Sequence, residues 1–133
     1  MTKKQENAFQ ILLNEARMAG LKAVIDITPQ IMPMVVCEHA NPLDDNSPVT
    51  RRYAPVMDGV CGFGWILIKP ANSPFANWCL KKGLGRRSAY ERGFVINVSD
   101  FNQSLLKKEA YAHAFAAVLS EAGIRAYGCS RID

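Results

Sequence analysis

The residues in this chain whose types and spacing suit chemistry are, first, its cations. Lys81, Lys82, Arg86, Arg87 and Arg92 fall within the thirteen residues 81–93, with Glu91 as the one anion among them. That surplus equals the whole net charge of +4, and the remainder of the chain is balanced at eleven charges of each sign. Charge gathered in this way makes a local field that the global figure hides. The run reads KKGLGRRSAYERG. Its glycines let backbone approach a phosphate, its Lys and Arg side chains supply charge, and Tyr90 offers a ring for stacking on a base. The pattern points to nucleic acid or another polyanion, held by Lys81, Lys82, Arg86, Arg87, Tyr90 and Arg92. The competing account is a solvated connection whose lysines complement a helix C-terminal dipole. The GLG spacing is neither a P-loop nor a dinucleotide-binding fingerprint.

Two further constellations involve thiols. Cys37 and His39 stand two apart and share a face on an extended strand, so with Cys61 or Cys79 they could supply thiolate and imidazole ligands to a metal. No second short-spaced ligand pair supports this, and the run MVVC ending at Cys37 reads as core. Cys61 lies in DGVCGFGW, where small neighbours could expose a nucleophilic thiol with His39 or His113 as base. The alternative is a central strand whose glycines admit a tightly packed helix. The four cysteines, Cys37, Cys61, Cys79 and Cys129, form no CxxC and sit among apolar or small residues, which suits reduced, buried thiols. No HExxH, GxSxG, Walker or EF-hand pattern is present, so no cofactor is expected.

Three helices should position these residues, each marked at its ends. The first follows Thr2, with Gln5 completing a capping box, and a stripe including Ala8, Leu12 and Ala16 runs to Gly20-Leu21. The second opens at Ser73-Pro74, gathers Phe75, Trp78 and Cys79, and stops at Gly83-Leu84. The third begins near Ser104, carries Tyr111, Phe115, Val118 and Ala122, and stops at Gly123-Ile124. It is rich in alanine (Ala110, Ala112, Ala114, Ala116, Ala117), and so thin enough to pack closely on a sheet or on a second copy of the chain. Strands are expected at 21–27 by alternation, at 31–38 with an edge set by Pro33, at 60–68, at 94–98 and at 124–129. Residues 60–68 are apolar on both faces, which reads as a central strand. Residues 39–57, rich in Pro, Asn and Asp, read as one long irregular loop.

The sum is a single α+β domain over residues 1–133: a mixed sheet of about five strands, three helices mainly on one face, and a C-terminal part that reads βαβαβ with parallel crossovers. The length of 133 residues suits one core. With no apolar run of membrane-spanning length and no signal-peptide core at the start, the expectation is a cytoplasmic protein with no membrane partner.

The succession DGVCGFGW, SPFANWCLKKG, GFVINVSDFNQS and KKEAYAHAFAAVLSEAGIRAYGCSRID, spanning residues 58–133, resembles small proteins of unassigned role encoded by bacteriophages and other mobile elements. The resemblance implies a phage or mobile-element setting and brings no catalytic residue with it. The leading expectation is therefore a small accessory protein, not an enzyme, that binds nucleic acid through its basic segment. A second expectation is a protein-interaction module or inhibitor of a host protein, with a homodimer through the Ala-rich helix as one form. A third is a small enzyme that uses Cys61. Whether Arg51, Arg52, Lys69, Lys107 and Lys108 join the basic segment on one face decides how far its field extends.

Overall fold

The computed structural model describes residues 1–31, 37–39, 49–52, 60–101 and 104–133. The first helix, α1 (Lys3–Ile27), begins with the expected capping box: the Thr2 side chain accepts from the Gln5 amide, and the Gln5 side chain accepts from the Thr2 amide. It does not stop at Gly20. The helix continues through the segment read as a strand at 21–27, its buried face running Leu13, Ala16, Gly20, Val24 at helical spacing. Gly20 is there for a close approach. A Cβ at this position would lie 2.6 Å from the ring of Tyr111 on the third helix. A short 3-10 turn, Thr28–Gln30, follows.

Strands β1 (Cys37–His39) and β2 (Val49–Arg52) pair antiparallel with each other as a separate two-stranded ladder. The stretch 39–57 therefore contains a strand and is not irregular throughout; its other residues lie outside the described ones. Then come β3 (Gly62–Lys69), α2 (Pro74–Lys81), β4 (Arg86–Ser88), β5 (Gly93–Asn97), α3 (Leu105–Glu121) and β6 (Arg125–Ile132). Ser73 and Ser104 cap α2 and α3 through their hydroxyls. Both helices end as their Gly-apolar pairs foretell. Gly83 and Gly123 take positive φ of 71° and 86°, and the amides of Leu84 and Ile124 bond back to the carbonyls of Cys79 and Leu119.

The main sheet has four strands in the order β4-β5-β3-β6, and every neighbouring pair is antiparallel. The expected mixed sheet of about five strands with parallel neighbours is thus corrected to an antiparallel one of four. The cause is β4, which lies inside the basic segment and converts βαβαβ into βαββαβ. Both β3 and β4 run against β5, so they point the same way with β5 between them; β5 and β6 likewise flank β3. This is the split β-α-β arrangement. The central position expected for the strand at 60–68 holds.

Register separates the two faces. Gly62, Gly64, Ile66 and Ile68 point inward, opposite Ala126 and Gly128 of β6. A Cβ on Gly64 would meet Lys108 Cβ at 2.8 Å, and one on Gly128 would meet the His113 amide at 2.7 Å, so α3 lies directly on the β3 and β6 backbones. One apolar core then joins Ile66, Ile68 and Phe94 of the sheet to Phe75, Trp78 and Cys79 of α2, Ala112, Phe115 and Leu119 of α3, and Leu13 and Ala16 of α1. All three helices contribute to this inner side. Of the alanines of α3, Ala112 and Ala116 are buried in this core, Ala110 and Ala114 are half-buried, and Ala117 is exposed. Among the described residues no helix is long and apolar enough to cross a membrane.

Candidate functional site

The other face of the sheet is built by the alternate residues of the same strands. Registered pairs put Phe63 beside Arg131, Trp65 between Asn97 and Cys129, and Leu67 between Val95 and Tyr127, with Arg86 next to Val95. Leu67 and Val95 are buried, yet neither belongs to the core beneath the helices. They form an apolar floor of their own. Around it the side chains stay accessible: Phe63 keeps 39% of its surface exposed, Tyr127 46% and Tyr90 93%. Tyr90 sits in the tight connection between β4 and β5, where the Glu91 amide donates to the Ser88 hydroxyl and Arg92 takes a positive φ of 57°.

A cavity of about 540 Å³ opens on this face, lined by Phe63, Trp65, Arg86, Tyr90, Glu91, Val95, Asn97 and Arg131. Its chemistry is aromatic and charged, with the guanidiniums of Arg86 and Arg131 beside the carboxylate of Glu91. The Arg131 guanidinium lies 5.1 Å from the Phe63 ring centroid, and Lys108 Nζ lies 5.9 Å from the same ring. Trp65 Nε1 is buried and finds no acceptor among the described residues. Asn97 adds an amide with both donor and acceptor. Flat rings, two guanidiniums and an amide provide surfaces for stacking, charge for phosphates and polar groups for base edges.

The sheet plane divides the cations expected to act together. Arg86 points to the outer cavity, whereas Arg87, its neighbour, points to the helix side and donates to Asn77 Oδ1 at 2.7 Å. Lys81 and Arg87 line a different groove, of about 500 Å³, with Trp78 and Glu6. Lys82 Nζ stands 5.9 Å from the Trp78 ring. The six residues proposed from sequence are thus not one site: Arg86 and Tyr90 join the outer face, Lys81, Lys82 and Arg87 belong to the α2 side, and Arg92 stays in the exposed turn. Of the further cations, Lys69 falls on the same side of β3 as Phe63, Trp65 and Leu67, and the buried Lys108 of α3 brings its ammonium to 5.9 Å from the Phe63 ring; Arg51 and Arg52 lie outside the described side chains. Sequence reading missed Phe63, Trp65, Asn97, Tyr127 and Arg131. The signal for the first two was the glycine face of β3, since the side holding Gly62 and Gly64 is the one a helix must press against.

The thiol candidates come apart. Cys61 is exposed and bridges to Ser104 at the start of α3. His113 lies nine residues further along that helix, ~13 Å by helical rise, so it cannot act as base for Cys61. The helix-admitting glycines of DGVCGFGW are what the fold uses. Burial pushes the Cys79 thiol up to about 12, and Cys129 is also raised, by burial and then by the nearby Glu91 carboxylate. Both are therefore protonated, unreactive thiols at neutral pH. β1 is described by its backbone pairing alone, so the metal reading at Cys37 and His39 lies outside the described side chains. Among the described residues no cluster of three His, Cys, Asp or Glu side chains is poised for a metal.

Fold and site together define an antiparallel α+β protein of the split β-α-β class with an aromatic, basic outer sheet face. Comparison with protein-family models, with curated proteins and with solved structures finds no match to this chain.

Proposed function

We propose that the protein binds single-stranded nucleic acid across the outer face of its four-stranded sheet. The observation that carries this reading is the set of exposed Phe63 and Tyr127 and half-buried Trp65 interleaved with Arg86 and Arg131 on one face. Base-on-ring stacking contributes about 1–3 kcal/mol per base and needs no particular sequence. It also needs bases that are not already stacked in a duplex, which favours single strands. An accessory role of this kind suits the phage or mobile-element setting implied by the C-terminal resemblance.

The test is a titration of labelled single- and double-stranded oligonucleotides at several salt concentrations. The single strand should bind more tightly, with log K falling linearly against log salt. Trp65→Ala should weaken binding about 5- to 100-fold, the loss of one stacked base. Equal, salt-insensitive binding by wild type and Trp65→Ala would remove the proposal.

A second reading, self-association, has its own observation. Ile11, Met18, Leu21 and Ile25 are exposed on α1, and with Asn14 they follow the alternating three-and-four spacing of a helix-pairing seam. Light scattering at high concentration separates monomer from dimer.

A further inference from the structure

We infer that Lys108 and Arg131, both set over the Phe63 ring, form a backbone-phosphate clamp at one end of the outer face. This rests on the single-strand reading above and gives it a fixed anchoring point.

The clamp begins with how α3 is seated. Ser104 caps the helix, Cys61 bridges to Ser104, and the Leu105 amide bonds to the Val60 carbonyl. One turn later the missing side chain of Gly64 lets Lys108 press on β3, with a notional Gly64 Cβ only 2.8 Å from Lys108 Cβ and 3.0 Å from its carbonyl oxygen. Lys108 is consequently 5% exposed, which is unusual for a lysine, and its ammonium lies 5.9 Å from the Phe63 ring centroid. Arg131, on edge strand β6, reaches the same ring.

Among the described residues neither cation has a carboxylate ion pair. Among the described residues the one carboxylate ion pair is Lys22 with Asp26, on α1. Glu91 lines the same cavity as Arg131 without an ion pair to it among the described residues. Glu109 Oε2 accepts from the Ser130 hydroxyl at 2.6 Å, on the inner side of β6, and the Asp133 amide is tied to the Cys61 carbonyl. A lysine whose stem is buried without a counter-ion is a costly choice for packing alone, since an apolar residue of that length would fill the space. An arriving phosphate supplies the missing charge to both groups at once. The backbones of Arg86 and Arg131 stand ~20 Å apart by strand spacing and rise, and their side chains line one cavity together with Phe63 and Trp65. Cations for phosphates and rings for bases, side by side, are what a strand laid across the sheet requires.

The experiment measures salt-dependent binding of a fluorescein-labelled oligothymidylate of about ten nucleotides to wild type, Lys108→Met, Lys108→Arg and Arg131→Gln. Lys108→Met and Arg131→Gln should each lose about five- to tenfold in affinity at low salt and flatten the log–log slope by about 0.7, the value for one phosphate contact on a single strand. Lys108→Arg should keep the slope. If wild type binds and neither neutral variant changes the slope, the clamp is wrong while the stacking face stands. Absence of binding by wild type overturns both. Lys108→Met preserves the buried stem; should it nonetheless fail to fold, the exposed Arg131→Gln and the charge-conserving Lys108→Arg decide the matter.

Discussion

Arg86 and Arg87 are adjacent and chemically identical, and the pleat of β4 sends them to opposite sides of the sheet. Arg86 lines the aromatic cavity, and Arg87 is engaged with Asn77 on α2. The expected consequence is an unequal pair of variants. Arg86→Glu should weaken single-strand binding at least tenfold, losing one contact and adding a repulsive charge, while Arg87→Glu should stay within about twofold. Fluorescence anisotropy under low salt reads both. The Cys79 thiol gives a second expectation at this scale. Burial raises its folded pKa from the ordinary thiol range to about 12, so the folded state keeps a proton that the unfolded chain releases. That stabilisation is complete below about pH 9 and is lost as pH rises towards 12, at up to about 1.4 kcal/mol per pH unit. Urea denaturation should therefore show wild type losing stability between about pH 8.5 and pH 10.5 more steeply than Cys79→Val.

The elements show which sequence signals suffice and which depend on tertiary context. Thr2, Ser73-Pro74 and Ser104 mark three helix starts, and Gly83-Leu84 and Gly123-Ile124 mark two ends, because capping is local chemistry. Gly20-Leu21 carries the same ending signal and yet lies inside α1. The deciding contact is with Tyr111, remote in sequence, whose ring occupies the space a side chain would need. The alternation at 21–27 misled for a related reason: Leu21 and Ile25 are apolar but exposed, so apolar spacing there does not report the core. Gly20→Ala makes the distinction measurable. Alanine gains about 1 kcal/mol in helix propensity, but overpacking costs about 1–3 kcal/mol. The variant should be less stable than wild type by about 1 kcal/mol in denaturant unfolding, whereas at a free helix surface it would be more stable.

At the scale of the whole molecule the two faces of one sheet have been given different work. The inner face has glycines where α3 presses and large apolar residues where all three helices meet. The outer face keeps Phe63, Trp65 and Tyr127 beside Arg86, Arg131 and the ammonium of Lys108. Sequence reading reached the concentration of charge at 81–93 and an α+β fold, but it treated the basic segment as a loop. A three-residue strand with polar side chains, Arg86–Ser88, has no apolar pattern to announce it. Missing it hid both the antiparallel order and the pleat that divides the cations. The aromatic residues were read as core because β3 is apolar on both faces, and only register tells which face the helices take.

The chain has two tryptophans, and they report on opposite faces: Trp65 lines the outer cavity, and Trp78 lies in the core with Phe75. An NMR titration of the two indole N–H signals with a short single-stranded oligonucleotide, assigned through Trp65→Phe, therefore tests the central claim directly. The Trp65 signal, whose Nε1 has no acceptor among the described residues, should shift progressively and saturate while the Trp78 signal stays in place. A Trp65 signal that stays fixed at saturating oligonucleotide, or a response confined to Trp78, would contradict the assignment of nucleic-acid binding to the outer sheet face.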